Sequence, residues 1–163
     1  MMHAGAIELR GARAIETPAD LVDLSWTPWR RIFLSSREPV WCLVDAIDYD
    51  WLSEYVWNEW HAGGGDWMRY AKRNVGPNRA TVRMHREIMI AADPRDDRYL
   101  RSHVADHING QTLDNRRANL RWSTKGANAR NRRPRGSAPS LETIVAELLA
   151  TLPPRPQLEE IPF

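Results

Sequence analysis

The sequence predicts an α+β fold in which a small β-rich part precedes a hairpin-and-helix core and one appended amphipathic helix. Apolar runs of strand length at residues 40–44 and 80–84 predict strands. Apolar residues at three-four spacing over residues 45–60 and 140–152 predict helices. Residues 103–132 are expected to form, in order, a strand, a long connection, a second strand and a helix. The length of 163 residues suits one domain with extensions or two small domains.

The first half of the chain is expected to alternate short elements. Residues 1–36 are weakly patterned, with a loop at 26–29 and a short strand at 32–34. In the helix over 45–60, Asp48 is the expected N-cap. Glycines 63–65 interrupt the chain, and residues 67–71 and 80–84 are expected to be strands joined by a turn at 76–78. A helix follows over 85–92 and ends before Pro94. The tryptophans at 41, 51, 57 and 67 are expected to pack in the core.

The C-terminal segment predicts a separate amphipathic helix. Ser140 is its expected N-cap, and Pro153 and Pro154 end it. Its apolar stripe consists of Leu141, Ile144, Val145, Leu148, Leu149 and Leu152. This stripe is expected to dock either on the rest of the chain or on a partner protein, and the pattern does not choose between them.

Composition excludes several classes of protein. Cys42 is the only cysteine, which excludes an internal disulfide and a cysteine-rich zinc site. No apolar run approaches the roughly 20 residues of a membrane span, and the first ten residues lack the pattern of a secretion signal. We therefore expect no membrane association and a cytoplasmic location.

The small net charge of +2 hides a strong separation of charge along the chain. Residues 1–66 carry 5 basic and 11 acidic side chains, whereas residues 69–135 carry 17 basic and 6 acidic ones. Residues 115–135 contain eight basic side chains and no acid. A concentrated positive field attracts polyanions, so a nucleic acid is the expected partner rather than solvent alone.

Residues 100–133 contain the groups that phosphodiester hydrolysis needs. A neutral imidazole such as His107 can deprotonate water near pH 7. A hard divalent cation that activates the phosphoryl group prefers oxygen ligands, which Asp106 and Asn128 supply. Asn128 lies one turn into a helix capped by Ser123 or Thr124 and can fold back over the first strand. Adjacent strand residues face opposite sides, so we expect irregular backbone at residues 106–107.

These residues resemble the ββα-metal (His-Me finger) core of HNH endonucleases, particularly the phage and intron-encoded homing type. The resemblance rests on Asp106-His-Ile-Asn-Gly110, Leu113-Asp-Asn-Arg116, Asn119-Leu-Arg121, Asn128 and Asn131. Upstream residues are similar to the region that precedes this core in many phage HNH proteins: Leu43-Val-Asp45, Asp48, Leu52, Trp57, Tyr70-Ala71 and Met84-His-Arg86. Together the resemblance covers about residues 40–133, and it implies a bacterial or phage-infected cell. We expect a terminal extension at 1–39, a β-rich region at 40–98, the nuclease core at 99–135, and a linker and helix at 136–163.

The resemblance implies a role for each matching residue. Asp106 is implied as a metal ligand, His107 as the general base, and Asn119 as the residue that holds the connection in shape. Asn128 is implied as the second metal ligand, with Asn131, three residues on, as the alternative. An asparagine in place of the histidine found in many HNH enzymes favours Mg²⁺ or Mn²⁺ over zinc.

The arginines of the basic segment are expected to bind DNA. They are Arg116, Arg117, Arg121, Arg130, Arg132 and Arg133. Arg116, Arg117 and Arg121 have the alternative of serving the Asp114 side chain locally. For His85, packing is favoured over catalysis, and for His103, DNA contact and ordinary surface exposure remain open.

The leading hypothesis is a metal-dependent DNA endonuclease that nicks or cuts both strands, leaving 5′-phosphate and 3′-hydroxyl ends as the family implies. A DNA-binding or regulatory module without catalysis is the alternative. A weaker third hypothesis is an accessory protein that recruits partners through residues 140–152.

Overall fold

The computed structural model describes residues 21–63, 68–134 and 136–157. The expectations for residues 1–20 and for Trp67 lie outside these ranges. The described residues form an α+β fold, as predicted, with three small antiparallel sheets. The elements are β1 (Trp29–Leu34), β2 (Val40–Asp45), α1 (Ala46–Ser53), β3 (Asn58–His61), β4 (Arg69–Val75), β5 (Ala80–Arg83), α2 (Met84–Ala92), α3 (Asp97–Ser102), β6 (His103–His107), a 3-10 turn (Arg117–Asn119), β7 (Leu120–Thr124), α4 (Lys125–Arg130) and α5 (Leu141–Ala150).

The hairpin of β1 and β2 supplies the centre of the core. Every residue of β2 from Val40 to Val44 is buried, on both faces of the strand, which explains its unbroken apolar run. Ile32 and Leu34 of β1 join the same apolar cluster. Beyond the hairpin, the backbone of Leu43 pairs with the connection that precedes β7 through Leu43 N–H to Leu113 O, 2.9 Å. This bond ties the hairpin directly to the later part of the chain.

The predicted helix over residues 45–60 is wrong in its second half. α1 ends at Ser53, the chain turns, and Asn58–His61 forms β3 instead. Trp57 explains the turn, because its buried indole N–H donates to the carbonyl of Leu52 at 2.9 Å and folds the chain back. Asp48 is also not the N-cap. Asp45 occupies that position, and Asp48 lies inside α1 with a fully buried side chain.

The second sheet, in the order β3-β4-β5, has one packed face and one more open face. Its register pairs Trp60 with Tyr70 and Lys72 with Arg83. Side chains alternate along a strand, so these four residues share a face, whereas Ala71, which is buried, faces the body of the protein. The strands agree with those predicted near 67–71 and 80–84, and α2 agrees with the helix predicted over 85–92.

The third sheet and the helix after it form the predicted hairpin-and-helix core. β6 pairs with β7 from His103↔Thr124 to His107↔Leu120 without interruption. The expectation of irregular backbone at residues 106–107 is therefore wrong, because Asp106 and His107 both lie in paired strand. Thr124 caps α4 as expected, accepting a hydrogen bond from the Ala127 N–H at 3.1 Å.

α5 docks on the chain's own body. Ser140 caps it, as predicted, accepting from the Thr143 N–H at 3.1 Å. Leu141, Ile144 and Val145 are buried in the same apolar cluster as β2. Of the two destinations left open for this stripe, the described residues show the first. No helix in the described ranges has the length and apolar character of a membrane span.

Candidate active site

Asp106 lies on one side of β6 and is held by two side chains. The residue is 7% exposed. Arg121, its cross-strand neighbour on β7, donates to Oδ2 through Nε at 3.1 Å and through Nη2 at 3.0 Å. Asn131 Nδ2 donates to the same oxygen at 3.1 Å. Within the described ranges, no hydrogen bond reaches Oδ1, so this oxygen is left for another ligand.

The amide that reaches Asp106 belongs to Asn131, not to Asn128. α4 ends at Arg130, and Asn131 is its C-cap residue. Asn131 Nδ2 also lies 3.4 Å from the carbonyl oxygen of His107, so one side chain contacts both members of the Asp-His pair. The side chain of Asn128 makes none of the described hydrogen bonds to either residue. The contact with Asp106 therefore belongs to Asn131, whereas the choice between Asn128 and Asn131 as second metal ligand stays a prediction.

His107 points to the other side of β6, as the alternation of strand side chains requires. Its Nε2 lies 2.8 Å from Oδ1 of the buried Asn115. An amide oxygen only accepts hydrogen bonds, so Nε2 carries the hydrogen and Nδ1 is the basic nitrogen. Burial lowers the pKa of His107 below its ordinary value of 6.5, against the Asn115 hydrogen bond and the charges of Asp114 and Asp106, which raise it. The imidazole is therefore neutral at pH 7.

Two further rings pack against His107. The His85 ring centroid lies 4.8 Å and the Tyr70 centroid 6.0 Å from that of His107. His85 comes from the start of α2 and Tyr70 from β4, so three elements meet here. His85 is buried, in line with the packing role favoured for it. His103 lies away from this cluster, with its ring stacked on Tyr99 at 3.7 Å.

Asn119 bridges the connection between β6 and β7. Its Oδ1 accepts from the Asn109 N–H at 2.9 Å, and its Nδ2 donates to the Asp114 carbonyl at 2.8 Å. Its own carbonyl accepts from the Ile108 N–H at 2.8 Å. These bonds hold the loop that follows His107, and the role that the resemblance implies for Asn119 stays a prediction.

Gly110 lies close to the segment that follows α4, residues 131–134, here called the arm. Its φ of +79° is a left-handed conformation that side chains rarely adopt. A Cβ atom there would lie 2.5 Å from Cδ of Arg133. Arg133 in turn donates to the carbonyl of Ile108 at 3.1 Å. The positive φ therefore favours glycine at this turn, and a side chain there would also require the Arg133 side chain to shift.

The six arginines expected to bind DNA fall into two groups. Arg116 donates to the buried Asp114, which was the alternative to DNA binding, and Arg121 donates to Asp106. Arg117 donates to the buried Asp48 through Nε at 2.8 Å and Nη2 at 2.7 Å. The other three, Arg130, Arg132 and Arg133, are exposed. The first group is engaged with carboxylates, and the second group is accessible to a polyanion.

Sequence reasoning missed Asn115, and it did not foresee the rings packed on His107. Asn115 immediately follows Asp114 in the segment that carried the resemblance, so its position was visible but its role was not. Tyr70 and His85 lie 37 and 22 residues before His107 in the chain. The upstream resemblance included both residues, but it did not place them against His107, because they reach it from other elements.

The donors at the end of β6 fit a hard divalent cation. Within the described ranges no group of three or more His, Cys, Asp or Glu side chains is arranged to hold a metal. A magnesium-type ion, however, needs only one or two protein oxygens and completes its shell with water and phosphate. Oδ1 of Asp106 and the amide oxygen of Asn131 are oxygens of this kind.

Comparison with known proteins gives a match to part of the chain. Residues 101–130 match a family model described as HNH endonuclease. This segment contains Asp106, His107, Asn119 and Asn128, and it ends one residue before Asn131. No curated protein and no solved structure matches the chain. Residues 101–130 are therefore similar to the HNH endonuclease family, and this match supports an assignment of that segment to it.

Proposed function

We propose that this protein is a metal-dependent DNA endonuclease that hydrolyses phosphodiester bonds. The observation that carries the proposal is the arrangement around the end of β6. Asp106 and a neutral, oriented His107 are adjacent there, and Asn131 contacts both, at 3.1 Å from Oδ2 of Asp106 and 3.4 Å from the His107 carbonyl. The family match covers the strand that carries the first two.

In the proposed mechanism, Nδ1 of His107 accepts the proton of the attacking water. Asn115 holds the ring through Nε2, and Asn119 holds the loop that follows it. Asp106 and Asn131 would hold Mg²⁺ or Mn²⁺. When bound, such an ion polarises the phosphoryl group and stabilises the leaving oxygen. The products would be a 5′-phosphate and a 3′-hydroxyl.

One contact favours the alternative of a DNA-binding module without catalysis. The guanidinium of Arg121 lies 3.0 Å from Oδ2 of Asp106, so a fixed positive charge already neutralises this carboxylate. A metal ion would bind Oδ1 of Asp106 while Arg121 stays on Oδ2, or Arg121 would move aside. Because the Arg121 side chain is 45% exposed, solvent offers it room to move.

Plasmid cleavage decides between the two functions. The wild-type chain is incubated with supercoiled DNA in Mg²⁺, in Mn²⁺ and in EDTA, beside His107→Ala and the control His103→Ala, whose ring lies outside the cluster. We expect metal-dependent cutting by the wild type and by His103→Ala, and loss of cutting by His107→Ala. A folded wild type that binds DNA but cuts with neither metal would favour the non-catalytic module. Equal cutting by His107→Ala would remove His107 from the mechanism.

A further inference from the structure

The open face of the β3-β4-β5 sheet carries one lysine and one arginine that have no acidic partner among the described residues. Residues 69–83 include five basic side chains and no acid. Lys72 and Arg83, cross-strand neighbours on this face, form no ion pair with any described residue. In contrast, Arg73 faces the other side of β4 and pairs with Glu87 of α2 at 3.6 Å. Arg73 is therefore engaged in an ion pair on the packed face, whereas Lys72 and Arg83 on the open face remain available to a ligand.

An aromatic ring lies beneath these two cations. The Arg83 guanidinium lies 5.2 Å and the Lys72 ammonium 5.9 Å from the Trp60 ring centroid. Cations within about 6 Å of an indole face are attracted by its quadrupole. Trp60 thus restricts two long side chains that would otherwise move freely in solvent, and it holds them over one face.

This face continues into the candidate active site. The Trp60 ring packs against Tyr70 at 5.8 Å, and Tyr70 packs against His107 at 6.0 Å. Burial raises the pKa of Tyr70, whereas the charge of Arg83 lowers it, Asp106 raises it and Arg132 lowers it. Through the Tyr70 ring, the open face of the sheet is continuous with His107 at the end of β6.

We propose that the face formed by Trp60, Lys72 and Arg83 binds the sugar-phosphate backbone of DNA beside the phosphate that is cleaved. Phosphates match the charge of Lys72 and Arg83, for which the described residues supply no acidic partner, and both cations lie over the Trp60 ring. This inference rests on the proposed function for the position of the scissile phosphate. It lies outside residues 101–130 and assigns part of DNA binding to a sheet that the family match does not cover.

The test is binding of a fluorescent DNA duplex by the full chain in EDTA, measured at 50 to 200 mM salt. Lys72→Ala/Arg83→Ala removes the two cations. Arg37→Ala/Arg98→Ala is the matched control, because it removes the same charge from exposed residues of the β1-β2 turn and α3 that form no ion pair with any described residue. Each phosphate contact contributes about 0.9 to the slope of log K against log salt. We expect the slope of the first variant to fall by about 1.8 and that of the control to stay near wild type.

A second pair of variants tests Trp60. Trp60→Ala should weaken binding by about fivefold, and Trp60→Phe, which keeps an aromatic face, should restore most of it. A wild-type slope for Lys72→Ala/Arg83→Ala, or an equal loss in the control, overturns the proposal even if the wild type cuts DNA. If the slope falls as expected while a folded wild type fails to cut DNA with either Mg²⁺ or Mn²⁺, the DNA-binding surface stands and the proposed nuclease function fails.

Discussion

The two asparagines at the end of the core give a sharp test of the candidate metal site. Asn131 Nδ2 donates to the Asp106 carboxylate at 3.1 Å, and Asn128, three residues earlier, does not. Alanine at each position removes the same amide from the same short segment. The pair therefore separates a contact with the candidate metal carboxylate from a general effect on α4.

The expected loss for Asn131→Ala follows from the hydrogen bond. A hydrogen bond to a charged group contributes about 1.5–3 kcal/mol, and 1.4 kcal/mol corresponds to about tenfold in rate. If the amide acts fully in the transition state, cleavage should slow by about 10- to 100-fold. Asn128→Ala should stay within about threefold of wild type, because its amide forms none of these bonds.

The assay is the initial rate of plasmid nicking at saturating Mg²⁺, with thermal unfolding as the check on folding. Asn131→Asp adds a second measurement. It places a second carboxylate beside Asp106, which destabilises the fold in EDTA by like-charge repulsion. Added Mg²⁺ should then raise its melting temperature more than that of wild type. A larger rate loss for Asn128→Ala than for Asn131→Ala would refute the assignment.

Three further outcomes are expected. Asn115→Ala should lower the cleavage rate by about tenfold or more, because His107 loses its 2.8 Å partner and with it a fixed tautomer; Asn115→Gln tests whether an amide alone restores it. Arg117→Ala should destabilise the fold by about 2–3 kcal/mol in urea unfolding, since it leaves the buried Asp48 carboxylate unpaired, with the part-exposed guanidinium keeping the loss at the low end. Burial lowers the pKa of His85 well below 6.5, so the unfolded chain binds the extra proton, and His85 should lower stability as pH falls below 6.5; the urea midpoint measured from pH 8 to 5 should therefore fall less steeply in His85→Phe.

Each of these expectations has a contrary result. An unchanged rate in Asn115→Ala would mean that His107 does not depend on this amide for its orientation. A stability loss in Arg132→Ala as large as that in Arg117→Ala would show that loss of positive charge, rather than the buried pair, causes the effect. The same pH dependence in His85→Phe as in wild type would place the acid sensitivity elsewhere.

Several parts of the fold follow from local sequence alone. The run 40–44 is apolar at every position and forms a strand buried on both faces. Thr124 and Ser140 each cap the helix expected of them. The helix over 45–60 failed, because the apolar residues of its second half fit a helical stripe but are used by a turn and a strand. The pairing of Trp60 with Tyr70 decided that segment, and such a partner is not visible locally.

The sequence by itself placed Asp106 and His107 at the end of a strand and Asn119 in the connection that follows it, since these positions depend on neighbouring residues of the chain. It also determined the basic character of residues 69–135. Only the tertiary structure decided which charges are already neutralised: Asp48 reaches Arg117 across 69 residues. It likewise decided that Asn131 rather than Asn128 meets Asp106, because this depends on where α4 ends against β6. The physical reason is that ion pairs and ring contacts depend on distance in space, and folding brings together groups whose separation along the chain gives no sign of their contact.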